Sequence, residues 1–164
     1  MSAQDQQAFL DLLQPNVAII HKVIRLYADD AEDQRDLYQE VVTQAWSAWA
    51  RFEGNAKFST WLYRVALNTA LTFDKRRRRK APDPTESEQL VPPPSVAYEA
   101  RELLYWAMSR LEEVDRMVIL LHLEGYDNPE IAGITATNPN HIAVKIHRIK
   151  KRLTDILAPY RDGF

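Results

Sequence analysis

The chain has 164 residues, 46% hydrophobic and 27% charged, with four glycines and a net charge of −2, which suits one globular domain or two small ones built from helices. It contains no cysteine, which excludes disulfides, zinc–cysteine sites and thiol nucleophiles. No apolar run approaches the roughly 20 residues that span a membrane, and the first residues lack the parts of a signal peptide, so we expect a cytoplasmic protein without membrane insertion.

Three helices are predicted in the N-terminal half. The first covers residues 15–28, because Pro15 suits the first turn of a helix. The second covers residues 31–52, and its apolar residues recur at helical spacing. Its buried stripe is expected to contain Leu37, Val41, Ala45 and Trp49. The third covers residues 59–80; it begins among aromatic residues and ends in an unbroken cationic run from Lys75 to Lys80.

Residues 81–95 contain five of the nine prolines, mixed with acidic and small polar residues. This composition is typical of an extended, flexible linker. It predicts two domains, residues 1–80 and 96–164, joined by an acidic segment at 81–95. In the second domain, Ser95 is expected to cap a helix that ends near residue 111, and a further helix is predicted at residues 113–125.

The end of the chain has the pattern of a helix-turn-helix. Asn128 and Asn138 each precede a proline, as a capping residue precedes the first helical position. The last helix repeats apolar residues at spacings of four and three, which predicts a buried seam. That seam contains Ile142, Ile146, Ile149, Leu153 and Ile156. A short helix, a turn and a second helix with a polar, basic outer side favour binding in the DNA major groove. An ordinary amphipathic surface helix is the alternative.

Three other patterns have both a plain and a functional interpretation. The cationic run fits a solvated helix end or a phosphate contact. Among the aromatic residues, Trp61 and Leu62 are expected in the core, whereas the loop at residues 54–58 is the candidate for holding an unstacked base. Asp36, Gln39 and Glu40 share one helix face, which is either a solvated acidic face or a docking patch. The histidines show no metal-ligand grouping and no catalytic constellation stands out, so no enzyme, metal or cofactor is predicted.

The chain resembles the extracytoplasmic-function (group IV) sigma factors of bacterial RNA polymerase over nearly its whole length. Residues 36–41 with Ala45 and Trp46 look like region 2.2, residues 58–68 and the cationic run look like regions 2.3 and 2.4, and residues 130–153 look like region 4.2. Two departures stand out. The turn carries Ala136 where the family usually has glycine, and the recognition helix starts Asn140-His-Ile-Ala instead of with a Gly-Thr-Val-Lys type sequence. The preference of relatives for particular bases in the −35 promoter element therefore cannot be transferred to this chain.

The resemblance implies an all-α protein with a sigma region 2 bundle and a region 4 helix-turn-helix, acting as a sigma factor. Its partners would be promoter DNA and core RNA polymerase, through the β′ clamp helices and the β flap, and many relatives also bind an anti-sigma factor. The implied polymerase-binding residues are Asp36, Leu37, Gln39, Glu40 and Trp46. The implied −10 residues are Gly54, Asn55, Ala56, Lys57, Phe58, Tyr63, Arg64, Asn68, Lys75, Arg76, Arg77, Arg78 and Arg79. The implied −35 residues are Asn138, Asn140, His141, Val144, Lys145, His147 and Arg148.

Two other classes of protein are weighed against a sigma factor. A helix-turn-helix regulator of the response-regulator type would need a receiver domain with strands, and the N-terminal half shows no strand pattern. A helical interaction module would have no role on DNA. Co-purification with core polymerase followed by run-off transcription separates the three.

Overall fold

The two halves of the chain fold as separate helical units in this computed structural model, with the division between Pro84 and Thr85. The structure describes residues 1–80 and 100–163. Helices are the regular elements of these ranges, and no strand occurs in them, so the predicted all-α fold class is confirmed. The predicted linker at residues 81–95 and the predicted cap at Ser95 lie outside the described residues.

The first unit contains four helices and one 3-10 turn within residues 1–80. They are α1 Ala3–Leu13, the 3-10 turn Gln14–Asn16, α2 Val17–Tyr27, α3 Ala31–Trp49 and α4 Phe58–Lys80. Helix α1 was missed by the sequence analysis, although Ser2 and Asp5 form a capping box at its start. Pro15 was predicted in the first turn of α2 but lies in the 3-10 turn. Helix α3 ends three residues early because the chain tightens there, with the amide of Phe52 donating to the Trp49 carbonyl.

Helices α2, α3 and α4 pack on one another and form the core of the first unit. Three of the four residues in the predicted stripe of α3 are fully buried, namely Leu37, Val41 and Ala45, whereas Trp49 is only half-buried. Leu62 on α4 is also fully buried. Burying each leucine stabilises the fold by about 1.5–3 kcal/mol relative to leaving it exposed. This burial holds α4 in place and leaves its other face in solvent.

A buried carboxylate anchors the cationic end of α4. Asp74 is 0% exposed, and its Oδ1 lies 3.1 Å from Nη2 of Arg77. Its Oδ2 lies 3.4 Å from Nε of Arg78. A buried charge is costly unless it is paired, so the two guanidinium groups are what allow Asp74 to remain in the core.

Two further ion pairs join the end of α4 to α3. Nη1 of Arg77 lies 3.4 Å from Oδ2 of Asp33, and the guanidinium of Arg76 pairs with the carboxylate of Glu40. Partly exposed pairs of this kind contribute about 0–1 kcal/mol each. Together with Asp74 they set the side chains of Arg76 and Arg77 toward α3.

The second unit contains four helices and a terminal 3-10 segment within residues 100–163. They are α5 Ala100–Ser109, α6 Glu113–Leu123, α7 Asn128–Thr135, α8 Pro139–Leu157 and the 3-10 segment Ala158–Gly163. Helix α8 packs against α5, α6 and α7. Four residues of its predicted seam are buried, namely Ile142, Ile146, Ile149 and Leu153, whereas Ile156 is half-buried.

The caps of α7 and α8 differ in how well the sequence predicted them. Asn138 is the N-cap of α8, as predicted, and its Oδ1 accepts a hydrogen bond from the Asn140 amide at 2.9 Å. The predicted cap Asn128 is wrong, because Asp127 caps α7 in a capping box with Glu130. The error is one residue, and it arises because an aspartate with a glutamate three residues later satisfies two backbone amides, which Asn128 does not.

A left-handed alanine makes the turn between α7 and α8. Ala136 has φ 54° and ψ 41°, and it is the only residue other than glycine with positive φ in the described part of the chain. The turn is closed by the Thr137 amide, which donates to the Ala132 carbonyl at 2.9 Å. The left-handed region costs an L-residue about 1–2 kcal/mol. The turn that sets α8 against α7 is therefore strained.

We expect Ala136→Gly to stabilise the second unit by about 0.5–1 kcal/mol, because glycine adopts φ > 0 without the Cβ clash but loses more entropy on folding. Amide hydrogen exchange of the buried residues of α8 in the full chain measures the change. Ala143→Gly, on the exposed side of α8, is the matched control and should lower protection, since glycine costs about 1 kcal/mol within a helix. Equal loss of protection in both variants would contradict the prediction.

Asp74→Asn should destabilise the first unit by about 1–3 kcal/mol, because the charge-assisted bonds to Arg77 and Arg78 are lost while a buried polar group remains. Urea unfolding followed by tryptophan fluorescence measures the change. Asp36→Asn changes an exposed carboxylate on α3 and should shift the unfolding free energy by less than about 0.5 kcal/mol. Equal stability of the two variants would show that Asp74 is not an anchor.

Candidate nucleic-acid interfaces

The solvent-facing side of α4 carries the polar residues of the first candidate interface. Arg64, Asn68, Lys75 and Arg79 are exposed, at spacings that keep them near one side of the helix. Thr72 is exposed between Asn68 and Lys75 and donates a hydrogen bond to the Asn68 carbonyl at 3.1 Å. Thr72 was not among the predicted −10 residues, although its spacing of four from Asn68 would have indicated that both lie on one side of the helix. The result is a continuous polar and cationic face about 20 Å long at 1.5 Å per residue.

The loop between α3 and α4 is exposed beside the start of that face. Gly54, Asn55, Ala56 and Lys57 are all exposed, as expected for a loop that contacts a ligand. Gly54 has φ 75°, a conformation that favours glycine. The Asn55 amide donates to Glu53 Oε2 at 3.1 Å, which holds that side chain on the loop surface.

Two residues predicted to contact the −10 element belong to the core instead. Phe58 is 8% exposed and Tyr63 is 2% exposed. The ring of Phe58 packs edge-on against those of Phe52 and Trp49. A side chain buried in this way offers no face to a base, so both residues are removed from the interface. Phe58 lies four residues before Leu62, on the same side of α4, so helical spacing would have indicated its burial.

An aromatic cluster therefore underlies the loop, with its outer members half-buried. Phe52 and Trp61 have ring centroids 5.1 Å apart, and Trp61 also contacts Phe58 at 5.3 Å. Trp49 joins the cluster from α3, with its ring 5.5 Å from Phe52. Trp61 was expected in the core and is only half-buried. The cluster packs at the base of the loop, and Phe52 and Trp61 are partly exposed there.

The cationic run has two classes of residue. Arg76, Arg77 and Arg78 pair with carboxylates. Lys75 and Arg79 are exposed and form no ion pair with another described residue. Lys80 was not among the predicted −10 residues, but it is exposed like Lys75 and Arg79 and is placed in the same class. Only the second class can neutralise phosphates without first breaking an ion pair.

The predicted docking patch on α3 is only partly exposed. Asp36 and Gln39 are exposed. Glu40 lies beside them but pairs with Arg76. Leu37 is fully buried, so it supports the patch from inside and is corrected from a contact residue to a core residue. Trp46 is half-buried, with its ring 5.2 Å from that of Phe9 on α1.

The helix-turn-helix of the second unit presents the other candidate interface. Six of the residues predicted to contact the −35 element are exposed at and after the α8 N-cap, namely Asn138, Asn140, His141, Val144, His147 and Arg148. Lys151 is exposed one turn beyond His147 and Arg148 and extends the same side, which the four-residue spacing would have indicated. These residues lie opposite the buried seam of α8, so they are available to a groove.

Lys145 differs from its neighbours on α8. Its Nζ lies 3.0 Å from Oδ1 of Asp115 on α6, and both side chains are about three-quarters buried. The pair joins α8 to α6, so Lys145 is a structural residue in this conformation and its predicted DNA contact is not supported. The sequence could not show this, because Asp115 lies 30 residues away.

In residues 1–80 and 100–163, no group of three or more His, Asp or Glu residues could hold a metal ion. None of the helices in those ranges is both long and apolar enough to cross a membrane. The surfaces that remain are the polar faces of α4 and α8 and the acidic patch of α3.

Comparisons with known proteins agree with this arrangement. The family model of Sigma-70 region 2 matches residues 6–80, and that of Sigma-70, region 4 matches residues 101–153. The chain is 30% identical over 173 aligned residues to the ECF RNA polymerase sigma-E factor of Escherichia coli K12, covering 94% of this chain and 89% of that protein. It is 39% identical over 66 residues to the RNA polymerase sigma-H factor of Pseudomonas aeruginosa, covering 38% and 34% of the two chains.

Two solved structures share the fold. The sigma factor RpoE of Bartonella quintana, in complex with the anti-sigma factor NepR, has a TM-score of 0.69 at 20% identity and covers 96% of this chain and 98% of its own. CnrH in complex with the cytosolic domain of CnrY has a TM-score of 0.67 at 23% identity and covers 94% and 90%. The alternative of a helix-turn-helix regulator outside the polymerase is not favoured, because the region 2 match accounts for the first unit. The chain therefore belongs to the extracytoplasmic-function sigma factors of the sigma-70 family, the subunits that direct bacterial RNA polymerase to promoters.

Proposed function

We propose that separate surfaces of this sigma factor bind the polymerase, open the −10 element and recognise the −35 element. Residues 1–80 form region 2, which docks on the polymerase β′ clamp helices through α3 and opens the −10 element along α4. Residues 96–164 form region 4, which meets the β flap and reads the −35 element with α8, and residues 81–95 are the linker. The observation that carries this assignment is that α4 and α8 each turn a polar face to solvent directly opposite a buried apolar face.

Opening of the −10 element would use the loop and the exposed side of α4. Each unstacked base costs a few kcal/mol, and stacking on an aromatic ring contributes about 1–3 kcal/mol per base. The loop residues Gly54 to Lys57 with the partly exposed rings of Phe52 and Trp61 form the proposed site for such a base. Arg64 and Asn68 would position the strand beside it, and Lys75 and Arg79 would contact its phosphates.

The sigma factor has no proposed chemistry of its own. Sigma factors are generally non-enzymatic regulators of transcription initiation, so RNA synthesis would be the work of the polymerase. The protein would act in the cytoplasm, where polymerase and promoter meet. One structural neighbour was solved with an anti-sigma factor. By analogy we include an anti-sigma factor among the proposed partners, since the polar faces of α3 and α4 offer a surface that such a partner can cover.

The double variant Lys75→Ala/Arg79→Ala should impair promoter opening by the holoenzyme without lowering the stability of the first unit. Each lost phosphate contact lowers the slope of log affinity against log salt by about 0.7–0.9, so the expected decrease is about 1.5. Filter binding at several salt concentrations measures the slope, and permanganate reactivity of the −10 thymines measures opening.

The matched control for that experiment is Arg76→Ala/Arg77→Ala, which removes the same charge from residues that pair with α3. It should lower the unfolding midpoint of the first unit because Asp74, Asp33 and Glu40 lose partners. An equal loss of salt slope with unchanged stability would mean that all four cations contact phosphates and that the division into two classes is incorrect.

Asp36→Ala/Gln39→Ala should weaken binding to core polymerase about tenfold, because polar contacts at the centre of an interface typically contribute about 1 kcal/mol or more. Competition against the wild-type chain for core polymerase, read by run-off transcription from its promoter, measures the change. Asp11→Ala on α1 removes an exposed carboxylate away from α3 and should compete like wild type. Equal competition by both variants would remove the α3 face from the docking site.

A further inference from the structure

An apolar side chain lies in the middle of the polar face of α8. Val144 is 58% exposed, more than any other large hydrophobic side chain described in the second unit. Asn140 and His141 are exposed one turn before it, and His147 and Arg148 are exposed one turn after it. Val144 therefore adds nothing to the buried seam of its own helix, and its environment on that helix is polar on both sides.

We propose that Val144 reads the C5 methyl group of a thymine in the −35 element. This inference deepens the proposed function and rests on it, since α8 must enter the major groove for the contact to form. The N-terminal residues of a recognition helix are those that approach base edges, and Val144 lies within the first two turns of α8.

The chemistry of the groove limits what a valine can recognise there. A valine side chain ends in two methyl groups and has no hydrogen-bond donor or acceptor. The thymine methyl is the one apolar group that the major groove of unmodified DNA displays. Opposite any other base edge, Val144 would cover a donor or acceptor and leave it without a hydrogen bond, which is unfavourable. The same side chain thus favours thymine and disfavours cytosine, adenine and guanine at one position.

The neighbours of Val144 place that position inside the −35 element. One helical turn advances about 5.4 Å, while successive base pairs are about 3.4 Å apart. The bases nearest to Asn140 and His141 and those nearest to His147 and Arg148 should therefore lie on opposite sides of the thymine. We expect a thymine flanked on both sides by bases that polar side chains contact.

Replacing thymine by deoxyuridine removes the methyl group and keeps the base-pairing edge. The test starts by selecting promoters from a DNA library randomised at the −35 element, using core polymerase with the full-length chain. Each thymine of the selected element, on either strand, is then replaced in turn by deoxyuridine and holoenzyme affinity is measured. We expect one internal position at which the replacement weakens binding about fourfold, which corresponds to about 0.8 kcal/mol for one buried methyl group.

Val144→Ala should remove this dependence. The variant should bind the thymine promoter several-fold more weakly than wild type does. It should bind the deoxyuridine promoter as tightly as it binds the thymine promoter. Val114→Ala is the matched control, because Val114 is the other exposed valine among residues 100–160, at 39%, and lies on α6. It should keep the full fourfold effect.

The outcomes separate this inference from the proposed function. If the selected element has no internal thymine, if wild type tolerates deoxyuridine everywhere, or if Val144→Ala keeps the wild-type dependence, the assignment of Val144 is overturned while the sigma role stands. If the chain directs polymerase to no promoter in the library, the proposed function fails and the inference fails with it.

Discussion

The burial of one side of α4 is the constraint on which the first unit depends. Leu62 and its neighbours pack against α2 and α3, so the orientation of α4 is fixed by apolar burial and its exposed side cannot rotate away. The same helix can therefore carry both a core face and the face proposed to contact DNA. The loop before α4 is held against the same core, because the aromatic rings of Phe52, Phe58 and Trp61 pack on one another at its base.

Like charges at the end of α4 repel one another, and α3 offsets that repulsion. Asp33 and Glu40 on α3 pair with Arg77 and Arg76, and the buried Asp74 pairs with Arg77 and Arg78. Each of these arginines must exchange a carboxylate partner before it can contact a phosphate through the same group. A consequence is that Glu40, beside the exposed Asp36 and Gln39, contacts α4, the helix proposed to face DNA. The proposed docking face and the proposed −10 face therefore share one network of charges.

Helix α8 follows the same plan in the second unit. Its seam of isoleucines fixes the helix, its opposite side holds the polar residues, and the Lys145–Asp115 pair joins it to α6. The strained turn at Ala136 sets the direction in which α8 leaves α7. A residue with ordinary φ at that position would direct the chain differently, so Ala136 holds a left-handed geometry that glycine would adopt at a lower steric cost.

The sequence by itself determined the helical class, the buried seam of α8, the stripe of α3, the cap at Asn138 and the exposed residues around the turn. Each follows from spacing along a single helix or from one local hydrogen bond. It did not determine that Tyr63 is buried, that Lys145 pairs with Asp115, or which cations of the run face solvent. Those outcomes depend on what lies across from a side chain on another helix, and helical periodicity gives a residue's side on its own helix but not its partner.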